Sequence, residues 1–331
     1  MKTVTIKDVA REAGGSPSTV SLVLSDKGNI SDDTRARIKA LVKEMNYIPD
    51  WSGKMLKAGK TGVVALYVYS IRGYYSQLAD AICVELHKYG YELDIIVADK
   101  RETIMSGLLG KRNDGAILLH HAVSDKDAEL LIENEIPVVF LDRRVRGEKA
   151  SSVLLESYET GRMSAEYLYS MGHRSFMFVT GTDTFDANER FLGFTEFMKE
   201  KGIVLDKEYC IEGAFDRYIA HHSMLEFLNK GLELPDAIFA CNDDSAYGCM
   251  KALYEKGFHV PDDISVLGCD DIELSRWFTP SLATVSTDIN GQGVAAVREL
   301  MHLIEGDPSK IVTIPGKLVE RASCVRKINK N

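Results

Sequence analysis

The sequence predicts a small all-α head followed by an α/β body built on two parallel sheets. Three observations carry that prediction. Short capped helices with a glycine turn between two of them fill the first fifty residues. From Val63 onward, apolar runs and amphipathic stretches alternate as strand then helix. Charge is also divided. Residues 1–60 hold eleven Lys/Arg and seven Asp/Glu, while the whole chain carries −9, so the remainder carries −13.

Residues 5–24 read as two short helices. Thr5 caps the first, with Asp8 three residues on as the return partner of a capping box. Val9, Ala10 and Ala13 give it a small apolar face that a second helix approaches closely. Gly14-Gly15 supplies the turn, because glycine tolerates positive φ. Ser16 caps the second helix and Pro17 takes its first position, where a missing N–H costs nothing. Val20, Val23 and Leu24 form its buried stripe. Ser31-Asp32-Asp33-Thr34 is a capped, acidic start for a third helix, in which Ile38, Leu41, Val42 and Met45 recur at helical spacing. Two helices joined by a glycine turn form the unit that presents a helix to the DNA major groove. A basic head on an acidic body agrees with nucleic-acid binding by the head alone.

In the body, Val63–Val68 reads as a strand buried on both faces. Residues 74–89 read as a helix, with Leu78, Ile82 and Leu86 on one face. Strands follow near 93–97, 115–119 and 137–141. A second series runs helix 157–171, strand 175–180, helix 186–201, strand 209–212, helix 217–230, strand 237–241, helix 243–256 and strand 264–268. Such alternation specifies parallel sheets with helices on both faces. Ligands in such sheets bind beyond the carboxyl ends of the strands.

Several function classes are disfavoured. No 18-residue apolar run is present, so no membrane span is expected. The N-terminus has no charged-then-apolar leader. Cys83, Cys210, Cys241, Cys249, Cys269 and Cys324 are scattered without a CxxC pair. That suits a reducing cytoplasm and argues against a disulfide framework or a structural zinc site. His120-His121 and His221-His222 lack an HExxH or a clustered acidic partner, and adjacent histidines on a strand point to opposite faces, so no metal is expected. No GxGxxG follows the first strand and no P-loop is present, which counts against a nucleotide-dependent α/β enzyme.

The chain resembles the lactose-repressor/galactose-repressor (LacI/GalR) family of transcriptional regulators over nearly its whole length. Residues 5–24, Ser31 to Arg35 and Leu41 to Asp50 resemble the family's helix-turn-helix head, and Asn46-Tyr47-Ile48-Pro49 is the most specific signature. The resemblance implies a DNA-binding domain over 1–48, a hinge over 49–60, and an effector-binding and dimerisation domain over 61–331. That domain is expected to be periplasmic-binding-protein-like, with one subdomain from about 61–153 and 286–313 and the other from about 154–285 and 314–326. DNA contacts are implied for Thr5, Ser16, Pro17, Ser18, Thr19, Ser21, Leu22, Asn29 and Tyr47. In the hinge they are implied for Lys54, Met55 and Leu56, the leucine being the minor-groove wedge. Pro17, Ser18 and Leu22 stand at positions the family commonly uses to touch bases. Proline offers no donor, so readout by this helix is expected to be unusually apolar, with Ser18 as the main polar reader. Gly53 replaces the usual Ala and weakens the hinge helix by about 1 kcal/mol. Gly15 stands where Val is usual.

The resemblance also implies a pocket of strand-end polar residues: Asp142, Arg190, Asn242 and Asp270. Tyr74, Tyr75 and Phe215 are the implied stacking aromatics. Carboxylates and amides pair bidentately with vicinal hydroxyls, and an aromatic face meets the C–H face of a sugar or a base. Asp243 is expected to be a helix cap. The implied function is a cytoplasmic, homodimeric regulator, most often a repressor, with no cofactor and no enzymatic activity. Its affinity for a pseudo-palindromic operator would be controlled by a small-molecule effector, a sugar or sugar phosphate. Residues 321–331 carry no leucine heptad, so a dimer is expected rather than a tail-linked tetramer. Periplasmic sugar-binding proteins share the body but carry a leader and no DNA head.

Overall fold

The computed structural model describes residues 4–24, 28–47, 60–141 and 143–327. The chain divides at Thr61/Gly62 into two compact units.

In the first unit, α1 (Ile6–Glu12), α2 (Pro17–Leu24) and α3 (Asp32–Glu44) form around a small core. Asp8 accepts the backbone N–H of Thr5 at 3.0 Å and its hydroxyl at 2.6 Å. Ser16 Oγ accepts the Thr19 N–H at 3.1 Å, which is the expected cap. One left-handed residue, Gly14 at φ +63°, makes the turn, and Gly15 keeps an ordinary φ. Ser31 departs from the expected cap, because its hydroxyl donates to Thr34 Oγ1 at 2.9 Å instead of accepting a backbone N–H. Val9, Ala10, Ala13, Val20, Val23, Ile38 and Tyr47 close the core.

The second unit holds two six-stranded sheets. β1 (Val63–Val68), β2 (Glu92–Val97), β3 (Gly115–Leu119), β4 (Val138–Phe140), β5 (Ala150–Leu155) and β11 (Ile311–Ile314) form the first. Their spatial order is β11-β5-β4-β3-β1-β2, and every pairing is parallel. β6 (Phe176–Thr180), β7 (Cys210–Glu212), β8 (Ala237–Ala240), β9 (Ser265–Asp270), β10 (Ala283–Ser286) and β12 (Lys317–Val319) form the second. Their order is β12-β10-β9-β8-β6-β7, with β12 antiparallel to β10. The chain order reverses between β1 and β3 in one sheet and between β6 and β8 in the other. Each reversal opens a crevice at the carboxyl ends of the strands.

The helices that follow the strands are α4 (Tyr74–Lys88), α5 (Arg101–Leu109), α6 (Asp125–Glu133), α7 (Ser157–Ser170), α8 (Phe185–Glu200), α9 (Arg217–Asn229), α10 (Asp243–Glu255), α11 (Leu274–Trp277) and α12 (Ile289–Glu305). α7 and α8 approach through two glycines. A Cβ on Gly161 would meet the Arg190 backbone, and one on Gly193 would meet the Tyr158 backbone. Phe178, Phe194 and Phe239 then fill the space between α8 and its sheet, Phe194 stacking on Phe239 at 5.3 Å. This packing fixes α8, the helix that carries Arg190.

Candidate effector site and nucleic-acid interface

A cleft with about 700 Å³ of empty space, counting the part open to solvent, lies where the carboxyl ends of the two sheets face each other. From the first sheet it receives Tyr69, Tyr74, Tyr75, Leu119, His120, His121 and Leu155. From the second it receives Thr182, Thr184, Asp186, Arg190, Phe215, Asn242 and Asp270. Both topological reversals therefore open onto one cavity. Six residues singled out from the sequence meet there: Tyr74, Tyr75, Arg190, Phe215, Asn242 and Asp270. Asp142 lies outside the described residues.

Arg190 is 2% exposed. It donates to the Cys241 carbonyl, and Nη2 lies 3.5 Å from Ser157 Oγ. Ser157 in turn donates to Asp186 at 2.8 Å. Burial works against the Arg190 charge, but neighbours including Asp270 and Asp186 more than offset it and leave its pKa raised. Its buried Nε has no partner among the described residues, so the guanidinium fork is not fully committed. Asp270, 7% exposed, has its pKa raised by burial, with Asp243, Asp244 and Asp186 adding to the effect and Arg190 opposing it. Tyr74 donates to Gln292 Oε1 on α12, and burial beside Asp270 raises its pKa as well. The strand ends carry backbone strain. Phe215 has φ +57° and Asp270 φ +120°, and their neighbours Ala214 and Asp271 are also left-handed. Such residues cost about 1–3 kcal/mol each and persist where the surroundings impose them.

Two expectations need correction. The cap of α10 is Asn242, whose Oδ1 accepts the Ser245 N–H at 2.9 Å while Nδ2 donates to the Phe215 carbonyl at 3.2 Å. Asn242 thus holds Phe215 in place as well as lining the cavity. Asp243 is instead a buried tie. It accepts the Ile272 N–H at 3.0 Å, the Ser275 hydroxyl at 2.5 Å and the Thr284 hydroxyl at 2.6 Å. Second, His120 and His121 do not point to opposite faces. β3 ends at Leu119, so strand alternation no longer applies, and the two rings stack at 5.1 Å. His120 is fixed by the Ala122 N–H on Nδ1 at 3.1 Å, which leaves Nε2–H to donate to the Ala98 carbonyl at 2.7 Å. In the head, Tyr47 packs its ring into the core between the helices.

Sequence reasoning missed Asp186, Thr182, Thr184, Tyr69 and His121 in the cavity. Asp186 in the first turn of α8 looks like any acidic residue at a helix start. The arrangement offers two carboxyls and one guanidinium for hydrogen bonding, with Tyr75 and Phe215 as flat apolar surfaces. No group of His, Cys, Asp and Glu suited to a metal ion occurs among the described residues.

In the head, Pro17, Ser18, Leu22 and Asn29 are exposed, and Thr19 and Ser21 are half-buried. Ser18 and Leu22, one helical turn apart, share the face opposite buried Val20 and Val23. Leu22 lies against the Gly28 backbone. Thr5 and Ser16 spend hydroxyl bonds on their own helices. Lys54, Met55 and Leu56 lie outside the described residues.

Residues 5–50 match the bacterial regulatory proteins, lacI family, and residues 165–324 match the periplasmic binding protein-like domain. The HTH-type transcriptional repressor PurR of Mannheimia succiniciproducens is 31% identical over 320 residues, covering 94% of this chain and 95% of the relative. PurR of Erwinia tasmaniensis is 31% identical over 329 residues, covering 96% of each. Among solved structures, the Lac repressor dimer bound to operator and the anti-inducer ONPF superposes with a TM-score of 0.83 at 27% identity, over 98% of this chain and all of that one. The transcriptional regulator CelR–cellobiose complex gives 0.72 at 26% identity, over 97% and 100%. The head, the two-sheet body and these full-length likenesses agree: the chain belongs to the LacI family of bacterial regulatory proteins, as a DNA-binding transcriptional repressor and not an enzyme.

Proposed function

We propose that the chain is an effector-controlled repressor whose input is a sugar-class ligand, a sugar or sugar phosphate, held in the cleft, and whose output is operator affinity. The observation that carries this reading is the convergence of Arg190, Asp186 and Asp270 opposite Tyr75 and His121 in one cavity. Carboxyls and a guanidinium suit vicinal hydroxyls, and the flat faces of Phe215 and Tyr75 suit a sugar ring. A ligand bridging the two sheets binds one closure state better than another, which is what coupling to DNA requires.

The working form is a homodimer in the cytoplasm, because one head reads few bases and two-fold pairing matches a pseudo-palindromic operator. Ser18 supplies the polar base contact of α2, and Pro17 and Leu22 supply apolar ones. A mobility-shift assay with the promoter DNA adjoining its own gene, at about 150 mM salt, tests the output. A sequence-specific shift that a sugar or sugar phosphate alters is expected; no specific shift with or without these ligands refutes it. Arg190→Ala tests the input. The variant is expected to fold and bind operator but to lose the effector response, and a normal response would remove Arg190 from the site.

A further inference from the structure

The cleft continues past the cavity. Beyond His121 and Thr184, which line both, it widens into a hollow with about 1470 Å³ of empty space, counting open solvent. One wall is the β4–β5 connection, with Arg143, Arg144 and Arg146. The facing wall is Asp183, Thr184 and Phe185 at the start of α8. Exposure alternates along the connection: Arg143 and Val145 are half-buried, whereas Arg144 and Arg146 are exposed. Residues two apart on extended chain lie on one side.

The backbone beneath these arginines is tied down. Ser152 Oγ lies 2.8 Å from the Arg143 carbonyl and 2.7 Å from that of Val145, and it also meets the Val145 N–H at 2.8 Å. Arg143 is committed, lying over the Phe140 ring at 5.8 Å and reaching Asp125 at 3.4 Å. Across the hollow, Asp183 takes the Asn188 amide at 2.9 Å. Arg144 and Arg146 have no ion pair among the described residues. Of the hollow's carboxylates, Asp125 faces Arg143 and Asp183 takes Asn188, while Glu129 on α6 shares the exposed lip with Arg144 and Arg146.

We propose that Arg144 and Arg146 form an anion subsite at this lip. The effector is then a phosphorylated sugar whose hydroxyl-bearing ring enters the cavity while its phosphomonoester rests between the two arginines. The inference rests on the reading that the cavity takes a sugar. Guanidinium groups pair with phosphate oxygens in a two-pronged fashion. Solvent exposure and screening hold the gain nearer tenfold than a thousandfold.

Calorimetric titration of the full-length protein with matched pairs tests it: glucose and glucose 6-phosphate, ribose and ribose 5-phosphate, trehalose and trehalose 6-phosphate. In at least one pair the phosphorylated member is expected to bind about tenfold tighter or better, with the preference shrinking as salt rises. The double variant Arg144→Gln/Arg146→Gln, altered at two exposed positions, is expected to abolish that preference and leave the neutral sugar's affinity unchanged. A neutral sugar that binds as tightly as its phosphate, or a preference that survives the double variant, overturns the subsite and leaves the sugar reading standing. A panel in which neither member of any pair binds overturns the sugar reading, and the subsite with it.

Discussion

Gly161→Ala separates two effects that act in opposite directions on α7. Alanine in a helix interior is favoured over glycine by about 1 kcal/mol, so propensity alone makes the variant more stable. The structure requires the reverse. A Cβ at Gly161 would overlap the Arg190 carbonyl oxygen outright and stand 2.8 Å from its carbonyl carbon, where non-bonded contacts settle near ~3.5 Å. α8 must then retreat by more than about 1 Å. The obstacle is backbone, so no side-chain rotation relieves it, and the cost falls at the upper end of the roughly 1–3 kcal/mol typical of overpacking. After the propensity gain, a net loss of about 2 kcal/mol remains. Urea denaturation followed by circular dichroism is expected to show a lower midpoint at unchanged slope. Because Arg190 sits on the displaced turn, effector affinity is expected to fall as well. A variant as stable as the parent, or more stable, would refute the claim that these helices touch through glycine.

Two further outcomes follow from other parts of the molecule. Asp127 accepts Arg101 Nε on both oxygens at 2.9 Å, with the Ser124 N–H and hydroxyl adding to it, so its pKa is held down to about 2 against an ordinary 3.8. A folded-state pKa below the unfolded one contributes stability above pH 3.8 that disappears as pH falls through about 2. The ceiling is about 2.4 kcal/mol, and the half-exposed, solvent-screened Arg101 lowers it to about 1 kcal/mol. Asp127→Asn is therefore expected to melt earlier than the parent at pH 7, with the gap closing below about pH 3; a constant gap would assign the loss to packing. Val20→Ala, in the small head core, is expected to cost about 2 kcal/mol and abolish operator binding while effector affinity by calorimetry stays unchanged. A fall in effector affinity would show that the damage reaches beyond the head.

The parts of the fold legible from sequence were those with a strong period or a strong boundary. β1, β3, β6, β8 and β9 are short apolar runs, and α1, α2 and α4 have caps, turns or an apolar stripe. The alternation of strand and helix points to a cavity at the carboxyl ends of the strands, and the family resemblance supplies the six lining residues. Legibility failed where the backbone leaves its element. His120 and His121 follow directly on β3, and the turn that begins there stacks their rings in place of the strand alternation expected of neighbours. At Asn242-Asp243 three acceptors stand side by side at a helix start, and only packing decides which one caps. The sequence Asn-Asp-Asp reads the same either way, but the burial of Asp243 among Ile272, Ser275 and Thr284 assigns it to the tie. α5, α6 and α12 carry no boundary signal strong enough to stand out in the sequence, and α12 lies in the stretch where the chain returns from the second sheet to the first.

That return bears on how a bound ligand is felt at the DNA. The chain passes between the sheets at residue 156, at 287–288 and at 315–316, so the two sheets are tied by three short strands of backbone. The cavity's charged hydrogen-bonding groups, Arg190, Asp186 and Asp270, all belong to the second-sheet side, whereas Tyr69, Tyr74, Tyr75 and His121 belong to the first. A ligand that touches one side alone binds open and closed forms equally and shifts nothing, however tight it is. Reversing a 1:99 population to 99:1 takes about 5.5 kcal/mol of differential affinity. A hydrogen bond to a charged group contributes about 1.5–3 kcal/mol, so two or three bonds formed only on closure supply it. Because the charged groups sit on one side, closure must add contacts from His121, the tyrosines or the lip arginines. Those residues, and not Arg190 or Asp270, are then where substitution converts a ligand that switches the protein into one that binds without effect.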